Sequence, residues 1–199
     1  QQRSISIDLQ KKIFNLIRKN INKYDLVIFS DFNYGCLPQD LVLKITNLER
    51  SHKLVMVADS QSSSQIGDIS RFKNMDLLTP TESEIRLSLK NNQDGLVVIA
   101  DKLLEISNAK NIILTLGQEG ILIHSSKKQK KIFTDQLETL NSNPLDTSGA
   151  GDALLVGASL CIASGGSIWE SAIVGSIMSS IQISRVGNIP IRQKDLLRK

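Results

Sequence analysis

The chain has 199 residues, a length that suits one domain of ordinary size. Hydrophobic residues make up 41% of the chain, which is enough for a sizeable core and argues against wholesale disorder. Aromatic residues make up only 4%, too few for a surface on which the bases of single-stranded nucleic acid stack. The 24 basic and 20 acidic residues leave a net charge of +4, which suits an enzyme of phosphorylated substrates and equally any other soluble domain.

Sequence signals for membranes, zinc and disulfides are missing. No apolar run approaches the roughly 20 residues of a membrane helix. The two cysteines, Cys36 and Cys161, cannot build a disulfide framework, and no Cys/His cluster has zinc spacing. The sequence starts at Gln1 without a charged-then-apolar leader, so we expect a cytoplasmic protein whose sequence continues upstream of Gln1.

Apolar patterns predict alternating helices and strands along most of the chain. An amphipathic pattern predicts a first helix that ends near Asn20. Short apolar runs that end in polar residues or glycine predict buried parallel strands, and longer periodic stretches predict helices between and after them. The predicted strands are 26–29, 53–59, 75–79 and 112–116, and the predicted later helices are 38–48, 81–89, 96–104, 150–163 and 168–184.

Two apolar runs at 120–124 and 131–134 flank a basic turn and predict a hairpin. Lysines 127, 128, 130 and 131 form this turn. A solvated turn is favoured over a phosphate or nucleic-acid patch, because no arginine stands nearby. A nucleic-acid or partner-binding module that uses these lysines remains the competing hypothesis.

Strands that alternate with helices predict an α/β fold with a mostly parallel sheet covered on both faces. Ligands of such sheets bind beyond the carboxyl ends of the strands. Asp31, Asp59, Thr79 and Gly117 all end predicted strands, so they are expected at that edge. Asp31 and Asp59 are therefore candidate substrate residues, although aspartates at strand ends also cap loops.

An anion site is predicted where a glycine-rich turn opens the helix at 150. Gly149, Ala150 and Gly151 would leave several backbone N–H groups directed at one point, reinforced by the helix dipole. Asp152 is then out of place beside an anion, unless it faces the second reactant as a general base that takes a hydroxyl proton. The alternative is an ordinary helix start with an acidic residue in its first turn.

The segment DTSGAGD at 146–152 resembles the D-T-x-G-A-G-D signature of the PfkB/ribokinase family of sugar kinases. Residues 113–120 resemble the family's strand and turn beneath the nucleotide, and residues 77–84 its T-P-N-x-x-E segment. Residues 30–35 resemble the S-D-Y-x-K-G stretch of the heptose-7-phosphate kinase branch, which forms the kinase half of ADP-heptose synthases. Neither a Walker A motif nor a protein-kinase catalytic loop occurs.

The resemblance implies a three-layer αβα ribokinase-like fold. Residues 1–199 would be the C-terminal two thirds of a single kinase domain, its nucleotide-binding and catalytic part, without the first strands, most sugar contacts and the lid. The implied partner is a sugar or sugar phosphate, with no nucleic acid and no membrane. A homodimer and a nucleotidyltransferase domain fused in the full-length protein remain open.

The resemblance also implies a role for each matching position. Asp152 would deprotonate the sugar hydroxyl, and residues 149–151 would form the anion hole for the transferring phosphate. Asp146 would help to bind the monovalent cation, K⁺, that several members use. Glu84 would organise Mg²⁺ through water.

The nucleotide, ATP, would lie against a second group of residues. This group consists of Thr115, Gly117, Gly120, Ser176 and Glu84.

Four positions depart from the family pattern. Thr81 stands where the family has Asn, and Ser176 where a late helix carries Asn against the adenine pocket. Tyr34 and Gln61 stand where the heptose branch has lysines. A non-catalytic nucleotide-binding relative, or an inactive fragment of such a kinase, therefore stays open beside the carbohydrate kinase.

Overall fold

The computed structural model describes residues 4–48, 53–61, 67–125 and 134–197. Within these residues six strands form one sheet, flanked by helices on both faces. The strands are β1 (Leu26–Asp31), β2 (Val55–Ser60), β3 (Leu77–Leu78), β4 (Asn111–Thr115), β5 (Ile121–Ser125) and β6 (Thr134–Leu137). The helices are α1 (Ile7–Asn20), α2 (Gln39–Thr46), α3 (Glu82–Leu89), α4 (Leu96–Ser107), α5 (Ala150–Ala163), α6 (Ile168–Ile183) and the short α7 (Gln193–Leu196).

The strands lie side by side in chain order, and the connections decide their direction. β1 to β4 are mutually parallel, since a crossover separates each from the next. A tight turn joins β4 to β5, so β5 and then β6 run antiparallel. Gly120 makes the turn possible: its φ is +90°, and a Cβ there would lie 2.1 Å from the carbonyl oxygen of Leu137.

Side chains of the sheet alternate between two apolar cores, which gives the three-layer αβα arrangement. On β2, Met56 and Ala58 join the core beneath α1 to α4, whereas Val55 and Val57 join the core beneath α5 and α6. The predicted α/β fold class, with its mostly parallel sheet covered on both faces, is confirmed.

Most predicted elements occur close to their predicted bounds. β3 is shorter than predicted, although Asp76 N and Thr79 N still donate to the carbonyl oxygens of Met56 and Ala58. The described part of the second hairpin strand is 134–137, where Thr134 pairs with His124 of β5. Residues 131–133 and the lysines of the basic turn lie outside the described residues. No helix of the described ranges is long and apolar enough to span a membrane.

Candidate functional site

A cavity of about 730 Å³ opens at the edge of the sheet where β4 ends. This volume falls within the usual range for small-molecule pockets. The start of α3, the turn after β4, the loop at 138–144, the start of α5 and one face of α6 surround it. Six residues expected at the site line it: Thr115, Gly117, Gly120, Ala150, Gly151 and Ser176.

The start of α5 presents backbone rather than side chain to this cavity. Gly149 is the N-terminal cap with φ +77°, and a Cβ there would lie 2.7 Å from Asn188 Oδ1. A Cβ on Gly151 would meet nothing within 4 Å, so its backbone borders open space. Ala150 N already donates to the carbonyl oxygen of Thr147 at 3.2 Å. The other first-turn N–H groups lack helical partners and can meet an anion.

Three carboxylates from three elements lie near one another beside this turn. Asp59 near the end of β2 is buried, and its pKa is raised from 3.8 to about 7 by burial first, and then by the charges of Glu84 and Asp152. The Thr79 hydroxyl lies near the Asp59 carboxyl and lowers that pKa. Thr79 Oγ1 is buried, and the geometry of its surroundings gives it no complete hydrogen bond. The cluster therefore concentrates negative charge and holds an unsatisfied oxygen.

Glu84 is held in place by the N-terminal cap of α3. Thr81 Oγ1 accepts from Glu84 N at 3.2 Å, and Thr81 N donates to Glu84 Oε2 at 2.8 Å. This capping box gives the Thr at position 81 a structural role in the turn. In the described part of the chain no three His, Cys, Asp or Glu side chains form a ready-made metal site. Mg²⁺ fits nonetheless, because it takes one or two carboxylates and completes its shell with water and phosphate.

Asp31 is not brought to this cluster. The register pairs Ser30 with Asp59, so Ser30 lies on the sheet face of Asp59 and the Asp31 side chain lies on the opposite face. Asp31 is buried there in an ion pair with Arg71, and its other oxygen accepts from Asn33 N at 3.0 Å. The sequence offered no signal for Arg71, which lies 40 residues along the chain from Asp31.

Asp146 is held by two loops. Its carboxylate oxygens accept from Ser148 N and Gly187 N, each at 2.9 Å. A bond from the Ser148 side chain first, and then these two backbone bonds, lower its pKa. Gln182, buried in α6, donates to the carbonyl oxygens of the same two residues, at 3.1 and 3.2 Å. Sequence reasoning missed Gln182, although a lone amide between Ile181 and Ile183 was the available signal.

Curated relatives match the chain over most of its length. Bifunctional protein HldE from Desulfatibacillum aliphaticivorans is 27% identical over 199 residues, covering 98% of this chain and 39% of that protein. Bifunctional protein HldE from Sulfurimonas denitrificans is 25% identical, covering 90% of this chain and 36% of that protein. The chain thus spans less than two fifths of the length of these relatives.

Solved structures share the fold. Phosphofructokinase-2 from Escherichia coli in complex with potassium superposes with a TM-score of 0.77 at 16% identity, covering 96% of this chain and 61% of that one. Ribokinase from Arabidopsis thaliana, complexed with ribose and ATP, gives 0.69 at 16% identity, covering 97% and 59%. The family model of pfkB family carbohydrate kinases matches residues 2–194. The chain therefore belongs to the PfkB family of carbohydrate kinases.

Proposed function

We propose that this chain binds ATP and catalyses transfer of its terminal phosphoryl group to a hydroxyl of a sugar or sugar phosphate. The observation that carries the proposal is the position of Asp152. It lies in the first turn of α5, directly after Ala150 and Gly151, which line the cavity, and its charge helps to raise the pKa of Asp59.

The cavity suits the nucleotide. Thr115, Gly117, Gly120 and Ser176 border it from two sides, and Gly151 also lines it, with open space around its backbone. A triphosphate directed at the start of α5 would meet N–H donors and the positive end of the helix dipole. Glu84, fixed by its capping box, would hold Mg²⁺ through water, and the ion would neutralise phosphate charge.

The acceptor would approach from the side of Asp59 and the exposed Ser30, which share one face of the sheet. Asp152 would take the proton of the attacking hydroxyl as the new O–P bond forms, while the bond to ADP breaks and its electron pair stays with ADP. The remaining N–H groups of the 149–151 turn would stabilise the charge on the transferring group. Asp31 would not touch the acceptor, because its side chain lies on the opposite face of the sheet. It would act on the site only indirectly, through its ion pair with Arg71.

Replacing Asp152 with Asn tests the proposal. Removing a general base typically lowers a rate by about 10²–10⁴-fold, so kcat of the complete protein should fall by that factor while ATP binding stays nearly unchanged. The measurement is coupled ADP release over a panel of sugars and sugar phosphates. Asp40→Asn is the matched control, since Asp40 occupies the first turn of α2 away from the cavity. Near-normal turnover in D152N would remove Asp152 from the chemistry.

A further inference from the structure

One buried amide joins the loop before α5 to the loop after α6. Gln182 is 2% exposed. Its Nε2 lies 3.1 Å from the Ser148 carbonyl oxygen, 3.2 Å from that of Gly187 and 3.4 Å from Asn188 Oδ1. Three oxygens from two loops therefore converge on a single nitrogen. An amide NH₂ has two hydrogens, so two of these contacts can be full hydrogen bonds and the longest is the weakest.

Converging carbonyl oxygens are also what replaces the hydration shell of a potassium ion. The monovalent cation expected from the family resemblance would have to use oxygens of this kind together with Asp146. In this chain the carbonyl oxygens face the Gln182 amide, and both Asp146 oxygens are engaged with N–H groups. The residues between the two loops therefore do not fit a monovalent cation.

We propose that the Gln182 side chain takes the place of a monovalent cation, so that this kinase works without K⁺. The amide joins Ser148, which directly precedes Gly149, to the loop at 187–188. Gly149 and Asn188 lie close together there, since a Cβ on Gly149 would lie only 2.7 Å from Asn188 Oδ1. Gln182 is thus a positioning residue for the anion-hole turn, and this role rests on the function proposed above.

The first test uses the wild-type protein at its full natural length. The rate of ADP release and the thermal midpoint are followed across a KCl titration, with tetramethylammonium chloride keeping the ionic strength constant. We expect K⁺ to change the rate by less than about twofold, well below the roughly 5- to 150-fold of typical couplings between sites. A wild-type protein whose rate or midpoint requires K⁺ would overturn the proposal.

The second test removes the amide that lies between the Ser148 and Gly187 carbonyl oxygens. Gln182→Ala leaves the Ser148 and Gly187 carbonyl oxygens without their donor, so the variant should be less stable and should now bind K⁺. K⁺, but not tetramethylammonium, should raise its thermal midpoint, and should raise its rate by about fivefold or more. Ser171→Ala is the matched control, because Ser171 is also buried on α6 and donates to the Ser167 carbonyl oxygen. Its midpoint should fall without recovery by K⁺.

The two readouts separate this proposal from the proposed function. The thermal midpoint needs no substrate, so it reports on Gln182 even if no sugar is phosphorylated. A folded Q182A that gains no K⁺ response would show that the amide does not occupy a cation position. If Q182A does not fold, Gln182→Asn, which withdraws the amide by one methylene, replaces it in the same titration, and the wild-type result decides K⁺ independence by itself.

Discussion

The buried carboxyl of Asp59 makes the native protein progressively less stable as the pH rises from 3.8 to about 7. Its pKa rises from 3.8 to about 7 on folding, so the native state retains a proton that the unfolded chain releases. The stability that this proton contributes is complete below pH 3.8 and is lost as the pH rises through about 7. Because one pKa unit corresponds to about 1.36 kcal/mol, the whole shift amounts to about 4 kcal/mol above about pH 8.

Replacing Asp59 with Asn removes this titration while keeping the shape of the side chain. Burying the amide costs about 1–3 kcal/mol of its own if a partner is missing, but that cost does not depend on pH. The free energy of unfolding of D59N relative to wild type should therefore rise by about 2–3 kcal/mol between about pH 5 and pH 8. Turnover should fall in the same variant, because the substitution that stabilises the protein also removes a carboxylate from the proposed site.

Urea unfolding at the two pH values, in buffer without Mg²⁺, measures this difference. Asp76→Asn is the control, since Asp76 is buried but paired with Lys110 Nζ and accepts from Met56 N at 2.9 Å. That variant loses an ion pair and should be less stable than wild type at both pH values. A D59N advantage that stays flat or shrinks toward pH 8 would refute the account of the carboxylate cluster.

Two further predictions concern the nucleotide and the sheet. Gly151→Val should abolish ATP binding in calorimetry with the fold retained, because the new side chain enters the cavity. Gly95→Val, which also has open space around its Cβ, is the control and should bind ATP normally. Unchanged binding in G151V would place the phosphates elsewhere. Arg71→Ala should lower the free energy of unfolding by about 3–5 kcal/mol, because it leaves Asp31 buried without its partner. A loss below about 1 kcal/mol would mean that this ion pair contributes little.

The sequence determined the elements, because short-range patterns carry that information. Apolar runs ending in polar residues or glycine predicted β1, β2 and β4. Helical periodicity with Pro38 and Gly149 at its borders predicted α2 and α5. The glycine-rich turn before α5 also indicated an anion site, since the conformation of such a turn depends on its own residues. Position 149 shows this locally, with a φ of +77° that favours glycine.

The tertiary structure alone distinguished the two aspartates at strand ends. Asp31 and Asp59 look equivalent in the sequence, each closing an apolar run. The parallel register pairs Asp59 with Ser30, so the two carboxylates lie on opposite faces of the sheet. Asp31 forms an ion pair with Arg71. Asp59 lies near the charges of Glu84 and Asp152, and its pKa is raised.

Gln182 illustrates the same limit. In the sequence it is one amide within an apolar helix, and its three oxygen partners lie in segments up to 34 residues away. Only the packing of α6 against the start of α5 brings these oxygens to one nitrogen. Helix and strand periodicities report which residues are buried, but not which distant backbone a buried polar group meets. The cavity beside β4, the carboxylate cluster and the contacts of Gln182 are therefore products of long-range packing.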